Sequence, residues 1–191
     1  AVTIVREGVQ ITSLAGTASS YTDDLAGPGV YAYEVHGVLA GQASLGAPCS
    51  AEIAYVPPVT LTQCQIGQDR VARLTWTNGA STYDRIDILL DGAAAPESPL
   101  PGTTTAYTSV PLVPGAHTVA VRPAIGTYLA APRECTGTAI VPAPTNLACT
   151  VAAESWRVAL SWTNNWDYES ITVVRNGAAI AALAGTATSY V

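Results

Sequence analysis

Residues Arg6–Tyr21 read REGVQITSLAGTASSY, and residues Arg175–Tyr190 read RNGAAIAALAGTATSY. Extending the overlay to Val2–Tyr21 against Ile171–Tyr190 gives 12 identities in 20 positions. The overlay sets Gly8 on Gly177, 169 residues apart, and a third member, RIDILLDG ending in Gly92, stands halfway. The steps from Gly8 to Gly92 and from Gly92 to Gly177 are 84 and 85 residues. Tyr21, Tyr107 and Tyr190 keep nearly the same spacing, as do Trp76 with Trp162, Cys49 with Cys135, and Cys64 with Cys149. Self-similarity at a fixed period is the mark of a tandem array, here with a unit of about 85 residues.

One complete unit runs from about residue 57 to 141, and its pattern is that of strands. In VARLTW, Ala72, Leu74 and Trp76 fall on one face and Arg73 and Thr75 on the other. In RIDILLDG, Ile86, Ile88 and Leu90 fall together before Asp91-Gly92. The equivalent stretches end in Glu7-Gly8 and Asn176-Gly177. Such dipeptides suit a type I′ turn, in which both central residues need positive φ, so each marks a hairpin. VTLTQC, TTAYTSV, AHTVAVRP and the run through Cys135 to TGTAIV supply the remaining strands, about seven in all. No stretch repeats its apolar residues at the helical period. The economical reading is all-β: tandem antiparallel two-sheet sandwiches, the terminal ones incomplete.

Composition narrows the class. Hydrophobic residues make up 49% of the 191, too many for a disordered chain. No apolar run approaches the roughly 18 residues of a membrane helix, so no membrane span is expected in this segment. All eight basic residues are arginine, they are scattered, and the net charge is −6. That excludes the basic stripe of a nucleic-acid binder. Charged residues are 12%, against about 25% in an ordinary domain, so the solvent faces must be largely Thr, Ser and Ala.

A tryptophan closing the second strand (LTWTN, LSWTN) and a Pro-Gly turn running into alternating Tyr and Val (PGVYAYEVHGV) resemble the fibronectin type III domain. More narrowly, they resemble its tandem versions in large bacterial secreted and surface proteins. The resemblance implies Ig-like sandwiches with spacing, adhesion or binding roles and no catalysis. Two departures stand out: His117 occupies the place of Tyr31 in the first copy, and paired cysteines are not a general feature of the family.

Four cysteines allow three pairings. In such a sandwich the first and last strands run in the same direction between the two poles. Cys64 on the first strand and Cys135 early on the last then lie near one pole. Cys49–Cys64 is the competing pair, but its 15-residue separation looks extended and would reach up to about 50 Å. A disulfide needs Cα atoms within about 7 Å, so Cys64–Cys135 is the expected bond. Cys49 and Cys149 are expected to pair with equivalents outside this segment or in a neighbouring copy. Disulfides point to an extracellular or cell-surface setting.

Site chemistry is sparse. GQASLG lacks the spacing and context of a hydrolase elbow. His36 and His117 read as partly exposed strand positions, and neither has a nucleophile beside it. No cysteine pair has zinc spacing, and Asp23-Asp24 falls short of the oxygen ligands that calcium takes, reading instead as solvated loop. Glu97 lies in a two-residue insertion expected to be neutral. Trp156 and Trp166 are too far apart along the second strand to form one sugar platform, and Trp166 is expected to pack against the preceding domain after Pro144. No catalytic, cofactor-binding or metal residue is therefore assigned, and no cofactor is expected.

The expected organisation is residues 1–56 as the C-terminal part of one domain, 57–141 as a complete domain, and 142–191 as the N-terminal part of a third. Residues 142–191 and 23–56 number 50 and 34, together 84, one repeat length. The terminal pieces are thus expected to be completed within a longer chain, or by separate copies meeting head to tail. The expected function is a structural segment of a repetitive fibre or adhesin. The alternative is a set of ligand-binding or spacer modules in a large secreted polysaccharide-degrading enzyme or adhesin, with a glycan or protein ligand possible but unsupported.

Overall fold

The computed structural model describes residues 1–151 and 156–191. Among them every regular element is a β-strand and every pairing described is antiparallel. The first strands are β1 (Val2–Arg6), β2 (Val9–Leu14), β3 (Gly29–Leu39), β4 (Gln42–Ala43) and β5 (Ala47–Ile53). They form one sheet in the order β2-β1-β3-β4, with β5 also on β3. Next come β6 (Thr60–Ile66), β7 (Ala72–Thr77), β8 (Arg85–Leu90), β9 (Ala93–Ala94), β10 (Leu100–Pro101), β11 (Ala106–Thr108), β12 (Gly115–Ile125), β13 (Tyr128–Leu129) and β14 (Arg133–Ala139). These make a sheet β11-β7-β6 and a sheet β10-β8-β12-β13, in which β14 pairs with β12 and β9 with β8. Last are β15 (Thr145–Val151), β16 (Val158–Thr163), β17 (Ser170–Arg175), β18 (Ala178–Ala184) and β19 (Ser189–Tyr190), as a sheet β15-β16-β19 and a hairpin β17-β18.

The hairpin signals act as their residue types dictate. Glu7, Asp91 and Asn176 have φ of 52°, 52° and 51°, and the glycines that follow have φ of 76°, 84° and 82°. Both central residues are left-handed, which is the type I′ geometry that joins twisted strands through two residues. The carboxylates of this turn are also used: Asp91 accepts the Thr118 N–H and Glu7 accepts the Ala32 N–H. Strand register repeats with the sequence. Ile88 lies opposite Val121 on β8 and β12, and Ile4 opposite Val35 on β1 and β3.

By contacts the chain forms two compact units. One comprises Ala1–Cys64, Leu74–Tyr107 and Thr118–Thr136; the other comprises Gln65–Arg73, Thr108–His117 and Gly137–Val191. The core of the first unit holds Leu74, Trp76, Ile86, Ile88, Val119, Val121 and Cys135, all essentially buried. Alternation produces it: β7 buries Leu74 and Trp76 while Arg73 and Thr77 face solvent. In the second unit a smaller core gathers Trp162, Ile171 and Val173, flanked by Leu160, Leu183 and Tyr190.

Both tryptophans solve the same problem in the same way. A buried indole N–H needs an acceptor. Trp76 Nε1 donates to Asn78 Oδ1 at 3.1 Å, and Trp162 Nε1 to Asn164 Oδ1 at 3.0 Å. Each asparagine amide then donates to a glycine carbonyl, Gly102 or Gly185. Those glycines cannot carry a side chain, because a Cβ would overlap the carbonyl of Tyr83 or Tyr168. The Trp-Thr-Asn motif thereby ties the second strand to the loop before β11 or β19.

Cys64 on β6 and Cys135 on β14 are disulfide-bonded, with Cα atoms 5.5 Å apart and 71 residues between them. The bond links the two sheets of the middle repeat within the first unit. Closing a loop of that length is worth about 4 kcal/mol in the chain-entropy account. Cys64→Ser with Cys135→Ser should therefore lower the free energy of the unfolding transition that exposes Trp76, as measured by tryptophan fluorescence in denaturant, by about 4 kcal/mol.

Candidate functional site

One polar contact recurs at the start of two successive repeats. Tyr83 precedes β8, and its hydroxyl donates to the carbonyl of Pro57 at 2.7 Å while accepting the N–H groups of Gly79 and Ala80. Tyr168 precedes β17 and donates to the carbonyl of Pro142, also at 2.7 Å. In both cases the linker carbonyl is held by a residue 26 positions later, inside the repeat that the linker introduces. The sequence reading missed this pair, although Pro57/Pro142 and Tyr83/Tyr168 keep the 85-residue period.

In the second unit the Arg70 guanidinium lies over the Trp166 ring, 4.1 Å from its centroid, and Nη1 donates to the Leu112 carbonyl at 2.8 Å. Arg70 comes from the β6–β7 loop and Trp166 from the β16–β17 loop. The contact is a cation–π pair between two repeats, and it gives Trp166 a role at the junction. In the first unit Tyr128 donates to Glu52 at 3.1 Å. Partial burial, and then the carboxylate, raise the Tyr128 phenol above its usual range.

The expected cysteine positions fall into two states. Cys64 and Cys135 are joined, and Cys135 is 1% exposed. Cys49 on β5 and Cys149 on β15 are exposed thiols. Cys49 lines an open groove of about 530 Å³ over the β1-β3-β5 face, together with Ile4, Tyr33 and Val35. A second groove, about 230 Å³, lies beside β15 and β16 and is lined by Leu147, Leu160 and Trp162.

Three polar residues behave differently from their sequence reading. His117 is buried, and its Nε2 is 2.7 Å from the Val113 carbonyl. A carbonyl only accepts, so Nε2 carries the hydrogen. Tyr31 makes the corresponding bond from its hydroxyl to the Gly27 carbonyl at 3.0 Å, also four residues back. The two rings fasten the same corner, so the His117 departure preserves one function with a different donor. Asp23 is not a solvated loop residue: Arg6 Nη1 donates to it at 2.6 Å and Tyr33 at 2.8 Å. Glu97 is not neutral either, since it accepts the Tyr107 hydroxyl at 3.1 Å. Burial, and then that carboxylate, push Tyr107 up to about 12.

His36 sits partly buried between Glu34 and the Ser44 carbonyl. Asp87 receives both Arg85 and Arg122 on the outer face of its sheet. Trp156 is fully exposed. Among the described residues no group of three or more His, Cys, Asp or Glu side chains is arranged to hold a metal, and no helix is long and apolar enough to cross a membrane.

No protein-family model and no curated protein matches the chain. Among solved structures it is similar to the fibronectin(III)-like modules of Clostridium thermocellum CbhA, at 21% identity over 73% of this chain and 77% of that one, TM-score 0.39. It is also similar to the central fibronectin-III array of RIM-binding protein, at 14% identity over 84% of this chain and 66% of that one, TM-score 0.34. A third is the FN1–FN3 segment of chicken CNTN1, at 13% identity over 84% of this chain and 64% of that one, TM-score 0.27. The chain thus spans just under two thirds of each of the last two.

Two outcomes follow from the polar contacts. His117→Tyr should keep urea stability within about 0.5 kcal/mol of the native chain, whereas His117→Phe, which deletes the donor, should cost about 1 kcal/mol or more. Tyr107 is neutral to higher pH in the folded chain than its ordinary value of 10. Its contribution is accordingly complete below pH 10 and lost as pH rises toward 12. Tyr107→Phe should flatten that alkaline loss in unfolding measurements, and Glu97→Gln should shift the late phenolate absorbance step to lower pH.

Proposed function

We propose that the chain is a non-catalytic structural segment of a repetitive extracellular or cell-surface fibre or adhesin, built from tandem β-sandwich repeats stapled by disulfides. In this reading residues 57–141 are one complete repeat, residues 1–56 the C-terminal strands of another, and residues 142–191 the N-terminal strands of a third.

The observation that carries the reading is the recurrent bond from a tyrosine hydroxyl to the linker carbonyl, Tyr83 to Pro57 and Tyr168 to Pro142. Proline already fixes φ in the linker, and the hydroxyl anchors the carbonyl next to it. A linker restrained at both torsion and acceptor transmits force and orientation; one serving only as a tether needs neither. Arg70 on Trp166 supplies a second restraint at the later junction. The disulfide favours an oxidising compartment, and it limits how far the middle repeat can extend if pulled.

Residual dipolar couplings test the stiffness. Couplings from Thr108–His117 and from residues 156–191 should fit one alignment tensor in the native chain. Arg70→Ala and Tyr168→Phe should each reduce the agreement. Two independent tensors in the native chain would remove the support for a stiff structural segment.

A further inference from the structure

The Cys64–Cys135 bond divides the middle repeat into two unequal parts. Between the two cysteines lie residues 65–134, which hold Leu74, Trp76, Ile86, Ile88, Val119 and Val121, the buried apolar centre of the first unit. Outside the bond lie Pro57–Gln63 and Thr136–Val141, the linker ends with parts of β6 and β14. Val59 and Ala139 are the buried apolar side chains of these outer parts. The two bonded cysteines also differ in access. Cys64 is exposed, whereas Cys135 is 1% exposed.

Tension on the chain enters the repeat at Pro57 and leaves it at Val141. The disulfide gives that load a covalent path across Cα atoms 5.5 Å apart, in place of the 71 residue steps of backbone between them. Hydrogen bonds of β6 to β7 and of β14 to β12 can peel from the outer ends, but peeling stops at Cys64 and Cys135. Residues 65–134 then bear no load, however strong or weak their packing is. We infer that this disulfide is a redox gate on extension: closed, it confines lengthening to the outer strand parts, and opened by a dithiol reductant entering at Cys64, it admits residues 65–134 to the load path. The inference rests on the structural reading, since a gate on extension serves a segment that bears tension. The seven and six outer residues can lengthen the chain by at most about 45 Å. Opening the bond adds 71 residue steps less the 5.5 Å already spanned, about 230–250 Å more.

The covalent step is thiol–disulfide exchange. A reductant thiolate attacks the exposed Cys64 sulfur, the Cys64–Cys135 bond breaks, and Cys135 leaves as a thiolate that takes up a proton. The reductant's second thiolate attacks its own sulfur in the mixed disulfide, closing the reductant's disulfide and releasing Cys64 as a thiol. Two electrons pass from the dithiol to the protein, and the two dithiol protons end on Cys64 and Cys135.

The test places the 191-residue chain, carrying Cys49→Ser and Cys149→Ser so that no free thiol competes, between peptide tags at its two ends in a force clamp. Without reductant, the extended chain should fall short of its full contour length by about 230–250 Å. Dithiothreitol added under load should release that length in one further step, at a frequency that rises with its concentration. With Cys64→Ser and Cys135→Ser as well, the chain should reach full length without reductant. Tyr83→Phe, which removes the bond from the bypassed segment to the Pro57 carbonyl, should lower the force of first lengthening and leave the reductant step unchanged. The point of entry is read separately, by brief exposure to glutathione, capping with maleimide and peptide mass spectrometry. Glutathione should be found on Cys64 and maleimide on Cys135. Full extension without reductant, no further step after it, or glutathione shared equally or mainly on Cys135 would each overturn the inference. Alignment tensors read junction stiffness without load, so failure of the structural reading and failure of the gate are distinguishable.

Discussion

A sheet with one apolar face is stable only when a second layer covers that face, and the strands from β6 to β14 are organised by meeting this condition. Its β8 and β12 present Ile86, Ile88, Val119 and Val121, and β7 answers with Leu74 and Trp76. Close packing makes the arrangement specific, because each indole and carbonyl drawn inside must also find a hydrogen-bond partner. The Trp76–Asn78–Gly102 relay meets that need and fixes the loop that delivers β11. The Cys64–Cys135 bond then holds the two layers by their first and last strands.

The same economy governs the junctions. A proline-bearing linker offers few N–H donors, and one carbonyl in each linker is bonded by a side chain of the repeat that follows. Tyr83 and Tyr168 do so from equivalent positions, and Arg70 adds a charged lid on Trp166. The restraints that the proposed structural role invokes are thus a few well-placed hydroxyls and one guanidinium.

Equivalent positions do not always hold equivalent residues. Tyr31 and His117 differ in size and polarity, yet each donates one hydrogen to a carbonyl four residues upstream. Asp23 and Ser109 occupy matching places after their strands. Asp23 receives Arg6 and Tyr33, while the Ser109 hydroxyl accepts the Ala72 N–H. What the repeat conserves at these places is a donor or an acceptor at a given point, and the side chain supplying it varies.

The sequence by itself determined the period, the class and the local geometry. Alternation over β7 and β8 assigned Leu74, Trp76, Ile86 and Ile88 to one side, and Asp91-Gly92 dictated a hairpin whose positive φ values the backbone adopts. These features depend on two to six neighbouring residues, which is why they are legible in one dimension. Tertiary structure alone decided that His117 is buried, that Asp23 is ion-paired, that Glu97 meets Tyr107, and that a tyrosine 26 residues along secures each linker carbonyl. Each requires two strands or loops to arrive at a common point, and that arrival is set by sheet register and packing, which no short window of sequence contains.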